Sequence, residues 1–326
     1  MNEDYLWDRS GEPDAEVQRL EQLLSRYGHE GANVIPLPVK TRRWFPVARP
    51  LAAALVLGFL GLLIAYAVRF QWSSGAPWQI TRVAGAPRLS GQLLKTNDQL
   101  GVGDALSTDG RSQVSVRIAR VGEVDIGPNS ELKLLATGRG RHRVALDHGV
   151  MSARLYAPPF TFGVRTPAGM ATDVGCAFHL EYDHGHGLLK VLSGWVDFDG
   201  ETLVPAGAVA ELREGKGAGS PYYADASDAF RDALREFDFD GDPTALPRVM
   251  TAARGRDAMT LLHLIEKAPP GDRSLIYDRL ADLAPPPAGV TREGIIRKDS
   301  AMLRSWRNAL GIGVTKSWWL NWRDAF

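Results

Sequence analysis

An alternation with a period of two constrains this chain more than any other feature. Val114, Val116 and Ile118 are separated by Ser115 and Arg117, Val124 and Ile126 by Asp125, Leu132 and Leu134 by Lys133, Val144 and Leu146 by Ala145. Successive side chains of an extended strand point to opposite faces, so each run buries one face and leaves the other outside. Phe160, Phe162 and Val164 continue the pattern, as do Cys176, Phe178, Leu180 and Tyr182, then Leu189 and Val191, then Val196 and Phe198. Turn signals fall between the runs, among them Asp109-Gly110, Gly127-Pro128-Asn129, His148-Gly149, Asp183 to Gly187, Ser193-Gly194 and Asp199-Gly200. Short strands at such intervals over residues 79–215 specify an all-β body. The pattern does not choose between a sandwich, a barrel and a β-solenoid.

Beyond it the period changes to that of a helix. Phe230, Leu234 and Phe237 make one apolar face, Met259, Leu262, His263 and Ile265 another, Leu275, Ile276, Leu280 and Leu283 a third, and Met302, Leu303, Trp306 and Leu310 a fourth. Prolines at 243, 269, 270 and 285 to 287 punctuate them, so residues 225–312 read as a small all-α domain. Residues 313–326 form a tail with Trp318, Trp319 and Trp322, which is expected to fold back on that domain.

The amino-terminal part is of another kind. Pro50 to Val68 is 19 residues without a charge, and residues 47–70 read as one transmembrane helix. Lys40, Arg42, Arg43 and Arg49 precede it with no acid between Gly31 and Arg49. An excess of bases favours the cytoplasmic side, so the reading is a single-pass inner-membrane protein with a cytoplasmic amino terminus and an extracytoplasmic bulk. Gly58 and Gly61 do not make GxxxG, so self-association through the span has no support. Residues 1–46 would then be a short tail and basic linker. Eight acids and three bases between Met1 and Glu30 leave a net charge of −5, around one helix carrying Val17, Leu20, Leu23, Leu24 and Tyr27. Tyr5, Leu6 and Trp7 stand beside that helix as an apolar peptide that could dock on a partner.

Chemistry is sparse. Over the whole chain 38 basic residues balance 38 acidic ones, which gives no reason to expect nucleic-acid binding. The single cysteine, Cys176, excludes an intrachain disulfide and a thiolate metal cage, and reads as a small buried apolar residue. No GxSxG, P-loop or HExxH occurs, so the chain reads as a non-enzyme without cofactor. His179, His184 and His186 are the nearest approach to a ligand cluster, but a Gly-rich turn exposed to solvent suits them better than a metal. Asp238 to Asp242 echoes a calcium loop, yet Gly241 falls at the fourth place and Val249 at the twelfth, where a bidentate Glu is needed.

Several blocks in order carry a resemblance. Gly103-Asp104-Ala105-Leu106-Ser107-Thr108-Asp109-Gly110, Val114 to Ile126 around Gly122, Leu146-Asp147-His148-Gly149-Val150, Phe162-Gly163-Val164-Arg165-Thr166-Pro167, Gly175-Cys176-Ala177-Phe178, Val191 to Val196 around Gly194, and Val204-Pro205-Ala206-Gly207 resemble a FecR-type domain across most of 85–212. Gly122, Gly149, Thr166, Gly175, Phe178, Gly194 and Gly207 are its structural residues, and Cys176 stands where the family pattern has Thr. The resemblance implies an extracytoplasmic β-rich domain of membrane-anchored regulators that relay a signal to a cytoplasmic sigma factor. The whole reads as a multidomain membrane protein: one transmembrane helix, an all-β FecR-like domain built as a sandwich or β-solenoid, then the α domain. Its expected work is binding or sensing an envelope partner and relaying that event to a sigma factor. An anchored scaffold without signalling is the alternative, and a glycan-active hydrolase comes third.

Overall fold

The computed structural model describes residues 14–27, 55–64 and 76–312, apart from 119, 120, 139 and 243. The chain divides into two compact units, Met1–Leu63 and Ile64–Phe326. In the first, helix α1 (Ala15–Leu24) is capped by Asp14, whose carboxylate accepts from the Glu16 N–H at 3.1 Å. None of its residues is buried.

The expected transmembrane helix is not supported. Among the described residues no helix is long and apolar enough to cross a membrane. Only 55–64 of the apolar run is described as helix. The single-pass inner-membrane placement rested on that span and is withdrawn with it.

The second unit begins with strands β1 (Trp78–Ala84), β2 (Arg88–Leu89), β3 (Gln92–Leu93), β4 (Gln99–Leu100), β5 (Ala105–Ser107), β6 (Gln113–Ile118), β7 (Gly122–Ile126), β8 (Glu131–Ala136) and β9 (His142–Leu155). It continues with β10 (Phe162–Thr166), β11 (Gly169–Asp173), β12 (Ala177–Asp183), β13 (His186–Ser193), β14 (Trp195–Phe198), β15 (Thr202–Pro205), β16 (Ala208–Arg213), β17 (Gly217–Ala218) and β18 (Tyr222–Tyr223). They form one curled sheet made of two ladders. The first runs β4-β1-β6-β7-β9-β12-β13-β16, with β17 and β18 on β16. The second runs β3-β2-β5-β8-β9-β10-β11-β14-β15. Every pairing is antiparallel except β9 with β10. The inner faces meet through aromatic rings: Phe162 of β10 lies 6.5 Å from Phe178 of β12 and 6.2 Å from Trp78 of β1.

Strand β9 belongs to both ladders, and its burial shows how. His142, Val144 and Leu146 are buried, then Asp147 and His148 are both exposed, then Gly149, Met151, Ala153 and Leu155 are buried. The alternation slips by one residue at the point where Leu132 faces Leu146 but Glu131 faces His148, a β-bulge at Asp147. A one-residue slip sends side chains to the opposite face of a strand. Both residues at the bulge are exposed, so the apolar side of the strand stays on the interior through the slip.

Helices α2 (Asp228–Arg235), α3 (Ala245–Ala252), α4 (Ala258–Lys267), α5 (Arg273–Leu283), α6 (Arg292–Ile296) and α7 (Ser300–Ala309) follow. They enclose a core of their own, with Tyr277 edge-on to Trp306 at 5.4 Å. Leu275, assigned to an apolar face from the sequence, is 45% exposed, and Tyr277 takes its place in the core. α4 is buried from Ala258 to Ile265, its Met259 reaching the β core. A polar seam completes the junction: Arg235 donates twice to Glu211 at 2.9 Å, and Asp238 accepts from Ser220 N–H at 2.6 Å and from its Oγ at 3.0 Å. Asp240 pairs with Arg213 at 2.8 Å and Asp242 accepts from Thr244 N–H at 2.8 Å. Each acid of the calcium-like run therefore has its own partner within the fold.

Candidate functional site

A groove of about 720 Å³ opens where three segments of the β body meet: Pro128-Asn129 before β8, His148 to Val150 past the bulge of β9, and Glu181 to Leu188 across the β12–β13 hairpin. The hairpin closes through His184 and Gly185, at φ +47° and +79°, with Asp183 opposite His186. Two consecutive residues with positive φ make the turn whose twist matches that of the strands. Gly149 fixes the opposite wall. At φ +106° it follows the bulge, and a Cβ there would lie 2.3 Å from the Ser130 Cα. That close approach lets the Ser130 Oγ accept from Val150 N–H at 2.9 Å.

The lining offers imidazoles, carboxylates and the Tyr182 phenol but no Ser, Thr, Cys, Lys or Arg. His184 pairs with Asp183 at 2.7 Å, while His179 lies elsewhere, between Ser152 Oγ at 2.9 Å and Glu181 at 2.8 Å. The three histidines do not converge. Among the described residues no group of three or more His, Cys, Asp or Glu is placed to hold a metal ion.

The other residues singled out from the sequence are spread through the fold. Gly122, Gly175, Gly194 and Gly207 all have positive φ, at +153°, +73°, +67° and +79°. Gly194 is the tightest of these last three: a Cβ would come within 2.0 Å of the Gly175 carbonyl oxygen, so the two glycines pack backbone to backbone. Thr166 is buried with its hydroxyl donating to Gly169 C=O at 3.1 Å, and Phe178 is in the core. Tyr5, Leu6 and Trp7, and the Trp-rich tail, lie outside the described residues.

Two buried polar clusters escaped the sequence pattern. Asp173 ends β11 with Oδ1 accepting from Cys176 N–H at 2.8 Å and from its Sγ at 2.6 Å, and burial pushes the carboxyl up to about 7. Burial, helped by Asp173, also pushes the Cys176 thiol up. Cys176 is thus buried as expected, but as a hydrogen-bond donor. At the far end of the core Trp78 Nε1 donates to Thr137 Oγ1 at 2.9 Å. The same hydroxyl shares a hydrogen bond with His142 Nδ1, 3.0 Å away. Burial, with Arg143 adding to it, pulls His142 down to about 4. Alternation marked His142 only as a residue beside a strand.

The FecR protein family model matches residues 104–197. This segment is a FecR domain. It runs from the start of β5 into β14, so it takes the corner strand β9 and the whole groove, and leaves β1 to β4 and β15 to β18 outside. The match is narrower than the blocks over 85–212, and excludes Gly207. No curated protein matches the chain. Two crystal structures of a candidate anti-sigma factor from Parabacteroides distasonis are similar at 14% identity and a TM-score of 0.32, covering 40% of this chain and 64% of that one. The similarity thus spans under two thirds of the solved chains' length.

Proposed function

We propose that this chain is a non-catalytic regulator that acts by binding proteins, with a sigma factor as the partner. The FecR domain at 104–197 carries the reading, because the resemblance places such domains in sigma-factor regulators. The groove is consistent with a binding role: it is open, and its lining sets imidazoles and carboxylates beside Pro128, Val150 and Leu188. Tyr5, Leu6 and Trp7 are the proposed contact with the sigma factor, since three large apolar side chains within an acidic segment suit a peptide that orders on a partner. The test is co-purification of the full chain with each sigma factor of its own genome, expressed singly. Capture of one sigma factor, weakened at least about 10-fold when Tyr5, Leu6 and Trp7 become Ala, is expected. Capture of none would refute the regulator reading, and capture unchanged by the triple substitution would refute the assigned contact.

A further inference from the structure

Among the described residues of the FecR domain, Phe160 is the one whose backbone and exposure both run against its side chain. It has φ +65° and is 58% exposed, in the loop from β9 to β10. Left-handed backbone disfavours a bulky side chain and persists only where the surroundings impose it. Here Pro158 and Pro159 precede the residue, its N–H donates to the Asp173 carbonyl at 2.7 Å, and its carbonyl accepts from Arg143 Nη2 at 3.3 Å. Arg143 Nη1 also holds the Thr161 carbonyl at 3.0 Å. Its stem lies across Gly163, where a Cβ would meet the Arg143 Cδ at 3.0 Å. A glycine at 160 would satisfy the same loop without strain.

Four bases lie on the strands next to this loop or at their ends, with Asp199, which accepts from the N–H of Met170 opposite Arg165, beyond them. Lys133 and Arg165 flank Ala145 on the outer face of the second ladder, with Arg143 two residues before Ala145 on the same face. Arg141 lies near enough to repel Arg143. None of the four has an ion-pair partner among the described residues. We propose that Phe160, with Lys133, Arg141, Arg143 and Arg165 around it, is a docking surface for an acidic protein segment that carries apolar side chains. A fixed aromatic ring supplies the anchor, and unpaired cations select an acidic partner and speed its arrival. A single ring among four cations on a chain with balanced charge suits a peptide better than a nucleic acid, whose bases need a row of stacking rings.

The test measures binding of the full chain to three fluorescent probes by anisotropy: a 12-residue peptide of Glu-Glu-Leu repeats, polyglutamate of equal length, and a single-stranded 12-nucleotide DNA. The Glu-Glu-Leu peptide is expected to bind more tightly than either of the others. Phe160→Gly is expected to weaken it at least about 10-fold with Tm unchanged or raised, and the double variant Arg141→Glu, Arg165→Glu to do the same. Phe160→Asn, which also tolerates left-handed backbone, replaces the glycine variant if that one loses Tm. Absence of peptide binding, affinity unchanged by substitution of Phe160, or tighter binding of the DNA would overturn the proposal.

Discussion

Replacing Asp173 by Asn isolates one buried proton. The carboxyl is pushed from 3.8 up to about 7 by burial, against the hydrogen bonds from Cys176 that favour the ionised form. Its folded value lies above its unfolded one, so the folded state holds the proton more tightly. The stability it contributes is therefore full below pH 4 and is lost as pH rises to 7. At about 1.4 kcal/mol per unit the whole shift amounts to about 4 kcal/mol, of which about 2.5 kcal/mol falls between pH 5 and pH 8. His142 and His263 oppose it. Both are pulled from 6.5 down to about 4 by burial, so their contribution is present above pH 6.5 and lost as pH falls to 4. Two histidines against one carboxyl give a stability that climbs by about 1.4 kcal/mol per unit from pH 4 to 6.5 and then declines. Urea unfolding of the full chain from pH 5 to 8 reads this directly, with the slope m checked for constancy. Asp173→Asn should gain about 2.5 kcal/mol relative to the parent between pH 5 and pH 8, the asparagine having no proton to lose. Parallel curves for the two proteins would show that Asp173 is not held neutral and would refute the argument.

Other expected outcomes use the same assay. Gly149→Ala should cost about 3 kcal/mol or more, since positive φ and the Ser130 backbone both reject a Cβ, whereas Gly200→Ala, with open space around it, should cost about 1 kcal/mol. His263→Leu should remove about 3 kcal/mol of the loss between pH 6.5 and 4, because it deletes one of the two buried imidazoles. Trp306→Ala should lower stability by about 3 to 5 kcal/mol through the cavity left against Tyr277. Glu211→Ala should cost about 1 to 3 kcal/mol by leaving the Arg235 guanidinium without its two-bond acceptor, and Arg235→Ala should not add to it.

The strands were legible wherever one face of a ladder is buried, as at Val114 to Ile118 and Phe178 to Tyr182, because there alternation and burial are the same fact. Strand β9 shows the limit. Val144 and Leu146 announce its first half, but the slip at Asp147 depends on where Leu132 and Glu131 sit across the ladder, which no local window contains. α3 escaped for a similar reason: Pro247 within its first turn hides a helix that buries Leu246, Val249 and Met250. The apolar stretch before residue 70 misled in the other direction: among the described residues no helix is long and apolar enough to cross a membrane. Of the groove, the hairpin carrying His184 and His186 was visible and its partners at 128–129 and 148–150 were not. Their meeting is a matter of register. Phe160 was assigned to a strand face by its spacing from Phe162, and its left-handed backbone turns it out instead.

The extra residue in β9 sets a rule about length. Val144 and Leu146 are buried in one half of the strand and Met151, Ala153 and Leu155 in the other, and the two residues at the bulge, Asp147 and His148, are both exposed, so the extra residue is absorbed on the outer face. Removal of Asp147 would leave Leu132 opposite Leu146 and Glu131 opposite His148 in a regular ladder, with Leu146 inward, His148 outward and Gly149 inward again. The domain should therefore accept many amino acids at position 147 and also the loss of one residue there, at the cost of the twist that the bulge adds. A deletion scan along 142–155 should find its smallest loss at the bulge, since removal of a residue elsewhere shifts paired side chains by one.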